Sequence, residues 1–192
     1  MDKRILITGA NGFIGSNIIS ELLANNTPVT ALVREKSNID YLKNIKCYNI
    51  IQTDNYLDPI VIRKLSMSKP EYVVHCAWSN NQLTDTKNLI KILELAKNID
   101  CKGFITIGSY EEYGQLEKNL SEDSICIPKN SFGRSKQTFF MLTKEICSSL
   151  DIKHIHLRLG IPYSNKKDSD FYFNDVIKKI YKDELEVLKN IY

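Results

Sequence analysis

No stretch of this 192-residue chain is apolar for anything near the ~18 residues that a membrane-spanning helix needs. Cysteine is present but not in a form that staples a fold. Cys47, Cys76, Cys101, Cys126 and Cys147 are an odd set, spread evenly and without a C-x-x-C pair. Cys76 and Cys147 lie inside apolar runs and read as small buried hydrophobes. Histidine is scarcer still. Two of the three, His154 and His156, alternate along one expected strand and His75 ends another, so no metal site is expected. A dominant charge is also missing: the formal net charge is +3, with Lys and Arg dispersed, which excludes a nucleic-acid surface. The charged start runs straight into an apolar strand, so the expectation is no signal peptide, no membrane and a reducing, cytoplasmic location. Hydrophobic content of 43% and charged content of 26% then leave an ordinary globular chain with one sizeable core and room for a small appendage.

What the chain does have is concentrated in its first residues. Lys3 to Thr8 (K-R-I-L-I-T) suits a strand buried on both faces. Gly9, Gly12 and Gly15 follow in T-G-A-N-G-F-I-G, and a helical repeat begins at once with Phe13, Ile14, Ile18, Ile19, Leu22 and Leu23. A strand, a glycine turn and a helix in direct succession make a phosphate cradle. The first glycine permits the tight turn, the second lets backbone approach a pyrophosphate, and the third lets helix and sheet pack closely. Amide groups at the helix start, with the positive end of its dipole, face the phosphates. Gly9, Gly12, Phe13, Ile14 and Gly15 are therefore the candidate dinucleotide-binding residues. A purely structural turn is the alternative.

The remaining chain alternates strands and helices, which implies right-handed crossovers and a parallel sheet. Strands are expected at Pro28 to Val33, Ile45 to Gln52, Tyr72 to Trp78, Gly103 to Gly108 and Ile152 to Leu159. Helices are expected after Asp58-Pro59, over Asp85 to Asn98, over Asn130 to Leu150 and over Asp170 to Lys182, with a hint of strand at Leu185 to Leu188. Arg34 ends the second strand where dinucleotide folds usually carry an acidic residue for the ribose. An arginine there can accept a 2′-phosphate, which favours NADP over NAD, although Glu35 could serve a ribose and Arg34 could be a solvated strand end.

The wider glycine spacing, G-x-x-G-x-x-G, resembles the NAD-dependent epimerase/dehydratase family of extended short-chain dehydrogenase/reductases, which act mainly on nucleotide sugars. The resemblance implies a Rossmann-type α/β fold, a doubly wound parallel sheet with helices on both faces. It also implies NADP or NAD as cofactor, a nucleotide sugar as small-molecule partner and, by analogy, a homodimer. Asp54, after the third strand, matches the family's adenine contact, or else is a turn residue or helix cap. Ala77, in Y-V-V-H-C-A-W, matches a small residue lying against the cofactor, and Trp78 stands where a second small residue is common. S-Y-E-E-Y-G and S-F-G-R-S-K resemble the family's catalytic segments. Ser109 matches the serine that binds the substrate oxygen, and Lys136 the lysine that binds the nicotinamide ribose and tunes the catalytic tyrosine. That tyrosine's own position is Phe132.

Phe132 and Lys136, four apart, share a helix face, but a phenyl ring moves no proton. Tyr110 beside Ser109, Tyr163 with Lys167, or Ser109 with a water are the substitutes to weigh. The expected division is a dinucleotide-binding domain over 1–165 and the start of a truncated substrate-binding region over 166–192, lacking most of the family's C-terminal lobe. Hydride transfer at a sugar carbon is the implied activity; a non-catalytic cofactor-binding module or a truncated pseudoenzyme is the alternative.

Overall fold

The computed structural model describes residues 3–47, 49–79, 81–114 and 119–162. The chain divides into two units, Met1–Arg158 and Leu159–Tyr192; of the second, only residues 159–162 are among those described. The expected helix over Asp170 to Lys182, the strand at Leu185 to Leu188, and Tyr163 with Lys167 lie outside the described residues.

Six strands form one sheet: β1 (Ile5–Thr8), β2 (Val29–Val33), β3 (Ile50–Gln52), β4 (Tyr72–His75), β5 (Gly103–Ser109) and β6 (Lys153–Leu159). Their order is β3-β2-β1-β4-β5-β6, with parallel pairing, so the expected Rossmann-type doubly wound sheet is what the chain forms. Alternation within the strands splits the core in two. On one face Leu6, Leu32, Val73 and Phe104 pack with helices α3 (Pro59–Ser68), α4 (Gln82–Asn98) and α5 (Ser131–Ser149). On the other, Ile7, Ala31, Val33 and Val74 pack with α1 (Phe13–Ala24) and α2 (Asp40–Asn44). The order in which strands are added reverses between β1 and β4, and ligands bind in such folds at that switch point, outside the carboxyl ends of the strands.

Three expected boundaries are corrected. The third strand covers Ile50–Gln52, because Asp40–Asn44 coils into α2 and Lys46 takes a left-handed conformation at φ 59° that breaks any strand through it. The fourth strand ends at His75, leaving Cys76 to Trp78 as an irregular segment past its carboxyl end. Helix α4 starts at Gln82, earlier than Asp85, because the Asn81 side chain caps it by accepting from the Thr84 amide at 3.0 Å.

Candidate cofactor and substrate site

The glycine turn sits at the switch point and leaves no room for side chains. Gly9 has φ +63°, and a Cβ there would fall 2.6 Å from the Ala77 backbone nitrogen. At Gly15 a Cβ would collide with the Gly9 carbonyl oxygen. Without a Cβ at the first position the β1 turn lies against the segment after β4, and without one at the second α1 lies close over the turn. Gly12 is the N-cap of α1, no side chain caps the helix there, and its first turn holds no acidic residue. Phe13 and Ile14 open that turn. A short, uncapped, positively polarised helix end beside bare backbone fits a pyrophosphate.

Arg34 stands exposed just beyond β2. Next to it the Glu35 amide donates to the Asp54 carboxylate at 3.3 Å, while Gln52 Nε2 donates to the Glu35 carbonyl at 2.8 Å. The loop after β2 is thus tied to the end of β3 through Glu35. Asp54 is not the cap of α3, since Asp58 fills that place by accepting from the Ile60 amide at 2.7 Å. Ala77 contributes backbone, through its contact with Gly9.

The candidate catalytic residues gather at the start of α5 and the end of β5. Ser109 is buried; its hydroxyl accepts from the Glu111 amide at 3.2 Å while Glu112 Oε1 accepts from the Ser109 amide at 2.8 Å. This reciprocal box opens a 3-10 turn over Tyr110–Glu112. Tyr110 is 39% exposed, whereas Ser109 beside it is buried. Lys136 donates to the Ile107 carbonyl at 3.1 Å. Its ammonium lies 3.6 Å from the centroid of the Trp78 ring and 5.6 Å from that of Phe132, so Phe132 and Lys136 do share a face. Burial pulls Lys136 down from the ordinary lysine value to about 8, against the opposing charges of Glu112 and Asp85.

Composition and spacing missed three features here. Trp78 covers the lysine, where the sequence offered only a bulky residue in place of a small one. Asp85, in the first turn of α4, is buried, and its Oδ1 accepts from the amide and the hydroxyl of Ser79 at 2.9 and 2.7 Å. Glu112 is fully buried and accepts from His156 Nε2 at 3.0 Å and Arg158 Nε at 3.2 Å. Burial alone would raise the Glu112 carboxyl, but the His156, Ser109 and Arg158 donors outweigh it and hold the group below its ordinary range. His154 and His156 do lie on one face of β6, both within reach of the Thr106 hydroxyl at 2.8 and 2.7 Å. Two of these side chains carried sequence signals: a Glu inside a short loop followed by paired His and Arg on the next strand, and an Asp among apolar helix positions.

Residues 5–190 match the model of the NAD dependent epimerase/dehydratase family. The chain belongs to this family. Among its relatives, the dTDP-4-dehydro-6-deoxyglucose reductase of Escherichia coli is 29% identical over 191 residues, covering 88% of this chain and 60% of that protein. The dTDP-D-glucose 4,6-dehydratase of Dictyostelium discoideum is 25% identical, covering 86% of this chain and 45% of that one. The chain thus spans 45–60% of the length of these relatives. Among solved structures, a UDP-glucuronic acid 4-epimerase from Bacillus cereus in complex with NAD superposes with TM-score 0.73 at 24% identity, covering 94% of this chain and 64% of that one. A dTDP-glucose 4,6-dehydratase from Bacillus anthracis, also in complex with NAD, gives TM-score 0.76 at 19% identity, covering 94% and 62%. These two likenesses bear on the fold, which for this family member is the six-stranded parallel sheet described above.

Proposed function

We propose that the chain binds NADP, or NAD, at the glycine turn and belongs to an epimerase, dehydratase or reductase acting on a nucleotide sugar. The observation that carries the reading is the turn itself: Gly9 pressed on Ala77 and α1 left uncapped at Gly12. The dinucleotide, when bound, supplies the hydride chemistry. Gly12, Phe13, Ile14 and Gly15 hold its diphosphate, Asp54 reaches the adenosine end, and Ala77 lines the path between. Arg34 favours a 2′-phosphate, hence NADP. Ser109 and Lys136 orient the sugar and the nicotinamide ribose, and Phe132 takes the place where a hydroxyl would move the proton.

That last substitution limits the rate. General acid-base catalysis contributes roughly 10²–10⁴-fold, about 3–5 kcal/mol of barrier. It leaves cofactor affinity alone. A second reading, a non-catalytic NADP-binding module, is favoured by Phe132 and by the Lys136 ammonium being engaged with Trp78 and Ile107. Under either reading residues 1–165 form the cofactor domain, 166–192 open the substrate-binding region, and the protein works in the cytoplasm as a homodimer.

The test is NADPH binding together with Phe132→Tyr. Binding followed by oxidation of NADPH in the presence of a nucleotide sugar supports the enzyme. Turnover only in the Phe132→Tyr variant supports a site intact but for one hydroxyl. Binding with no turnover in either form supports the module, and absence of binding overturns both readings.

A further inference from the structure

Asp85 Oδ2 is the one buried side-chain oxygen or nitrogen among the described residues that has no hydrogen-bond partner. Buried polar groups are almost always satisfied, because leaving one unpaired costs its full desolvation. The other carboxylate oxygen is fully used, accepting from both the amide and the hydroxyl of Ser79. Asp85 also lines a cavity of about 250 Å³ between the first turns of α4 and α5, with Trp78, Gln82, Ser131, Phe132 and Ser135. Asp85 thus forms part of a small chamber whose other walls are two aromatic rings, two hydroxyls and an amide, with Oδ2 itself shielded from solvent.

We propose that Asp85 is a specificity-determining residue, its Oδ2 accepting a hydrogen bond from a hydroxyl of a neutral sugar ring held in this chamber. The proposal rests on the nucleotide-sugar reading above and adds to it which side chain selects the sugar. Three observations carry it. The chamber, about 250 Å³ and open to solvent, is smaller than the ~300–1,000 Å³ clefts that hold whole drug-sized ligands and is matched to a single ring. The Trp78 and Phe132 rings offer apolar surface for the carbon face of a sugar, while Ser131, Ser135 and Gln82 offer polar edges. A cationic ligand is disfavoured because the Lys136 ammonium already lies against Trp78, and a second positive charge would be repelled; a hydroxyl satisfies the carboxylate without adding charge.

Gln82 is the movable wall. It is exposed, lies one helical turn before Asp85, and its side-chain amide donates to the Ser135 hydroxyl. On this proposal the sugar takes over that bond, and the turning away of Gln82 uncovers the carboxylate.

Trp78 is the only tryptophan in the chain, so its emission reports on the chamber directly. The full chain is titrated with methyl β-D-glucopyranoside, its monodeoxy analogues and UDP-glucose, and separately with NADP and with NAD followed by melting temperature. The expected result is a saturable change in Trp78 emission with the glucoside and with UDP-glucose, and one deoxy analogue binding ~10-fold or more weakly than the rest. Asp85→Asn is expected to erase that discrimination while leaving the NAD-induced melting shift in place. Equal binding of all the deoxy analogues, or no emission change with either sugar, overturns the proposal. Should Asp85→Asn fail to fold, the deoxy series on the unaltered chain still decides. NAD binding without a sugar response refutes the role of Asp85 and spares the cofactor reading. A discriminating sugar response with neither NADP nor NAD binding does the reverse.

Discussion

The ammonium of Lys136 and the indole ring of Trp78 are in face-on contact, Nζ 3.6 Å from the ring centroid, with Ile107 supplying a carbonyl oxygen 3.1 Å away. A lysine so enclosed is held by a π-face and one dipole, with little water to stabilise its charge. Burial accordingly lowers it to about 8.

The pH dependence of stability follows from that depression. Below about 8 Lys136 is protonated in both folded and unfolded chains, and the folded state bears the cost of a buried charge. Between about 8 and the ordinary lysine value of 10.5 only the unfolded chain holds the proton, so stability rises with pH. The melting temperature of the native chain relative to that of Lys136→Met is expected to climb across this window, by the equivalent of about 1–3 kcal/mol. A flat difference from pH 7 to 10.5 would show that the ammonium is well solvated.

Gly9→Ala is expected to abolish cofactor binding. The residue sits at φ +63°, and the added Cβ would lie 2.6 Å from the Ala77 nitrogen, so both conformation and space refuse it. The left-handed backbone alone costs an L-residue about 1–2 kcal/mol. Relieving the clash pushes the β1 turn off the segment after β4 and widens the phosphate cradle. Loss of the NADPH-induced melting shift in a variant that still shows native far-ultraviolet dichroism would confirm this.

Arg34→Glu is expected to separate the two dinucleotides. With the neighbouring Glu35 amide tied to Asp54, an added carboxylate at position 34 repels a 2′-phosphate and can accept from a free ribose hydroxyl. NADPH affinity should fall ~10-fold or more while NADH affinity holds or improves. Parallel titrations at two salt concentrations check it, since a charge-based preference shrinks as salt rises.

Glu112 is the stability hub beneath Ser109. Glu112→Ala leaves His156 and Arg158 without their acceptor and the Ser109 amide without its partner, at a cost of about 3 kcal/mol. Glu112→Gln keeps the shape and costs less. Because the folded carboxyl lies below its ordinary range, its contribution is present above the unfolded value near 4.5 and is lost as pH falls beneath it. Acid unfolding followed by dichroism should therefore be shallower in Glu112→Gln than in the native chain.

Local pattern was enough to read the sheet. Strict alternation in β1, with Leu6 toward one helix layer and Ile7 toward the other, is written in K-R-I-L-I-T and needs no knowledge of what packs there. The glycine turn was legible for the same reason, since a turn, a close approach and a helix start each demand a residue type at fixed spacing. The helix face shared by Phe132 and Lys136 followed from their separation of four. Where sequence reading slipped, short-range signals competed. Ile45 to Cys47 looks apolar enough for a strand, but a helical turn before it and the left-handed Lys46 consume those residues.

Sequence by itself determined which residues face the core, where the chain turns, and that position 132 has no hydroxyl to give, because each of these depends on one residue or on near neighbours. The partners of the charged groups were decided only in three dimensions. Trp78 meets Lys136 across 58 positions of chain, Glu112 meets His156 across 44, and the spare oxygen of Asp85 faces a chamber shared by two helices. Such pairings arise when the sheet brings strand ends together and excludes water. Periodicity says which side a residue faces; packing alone says what it finds there.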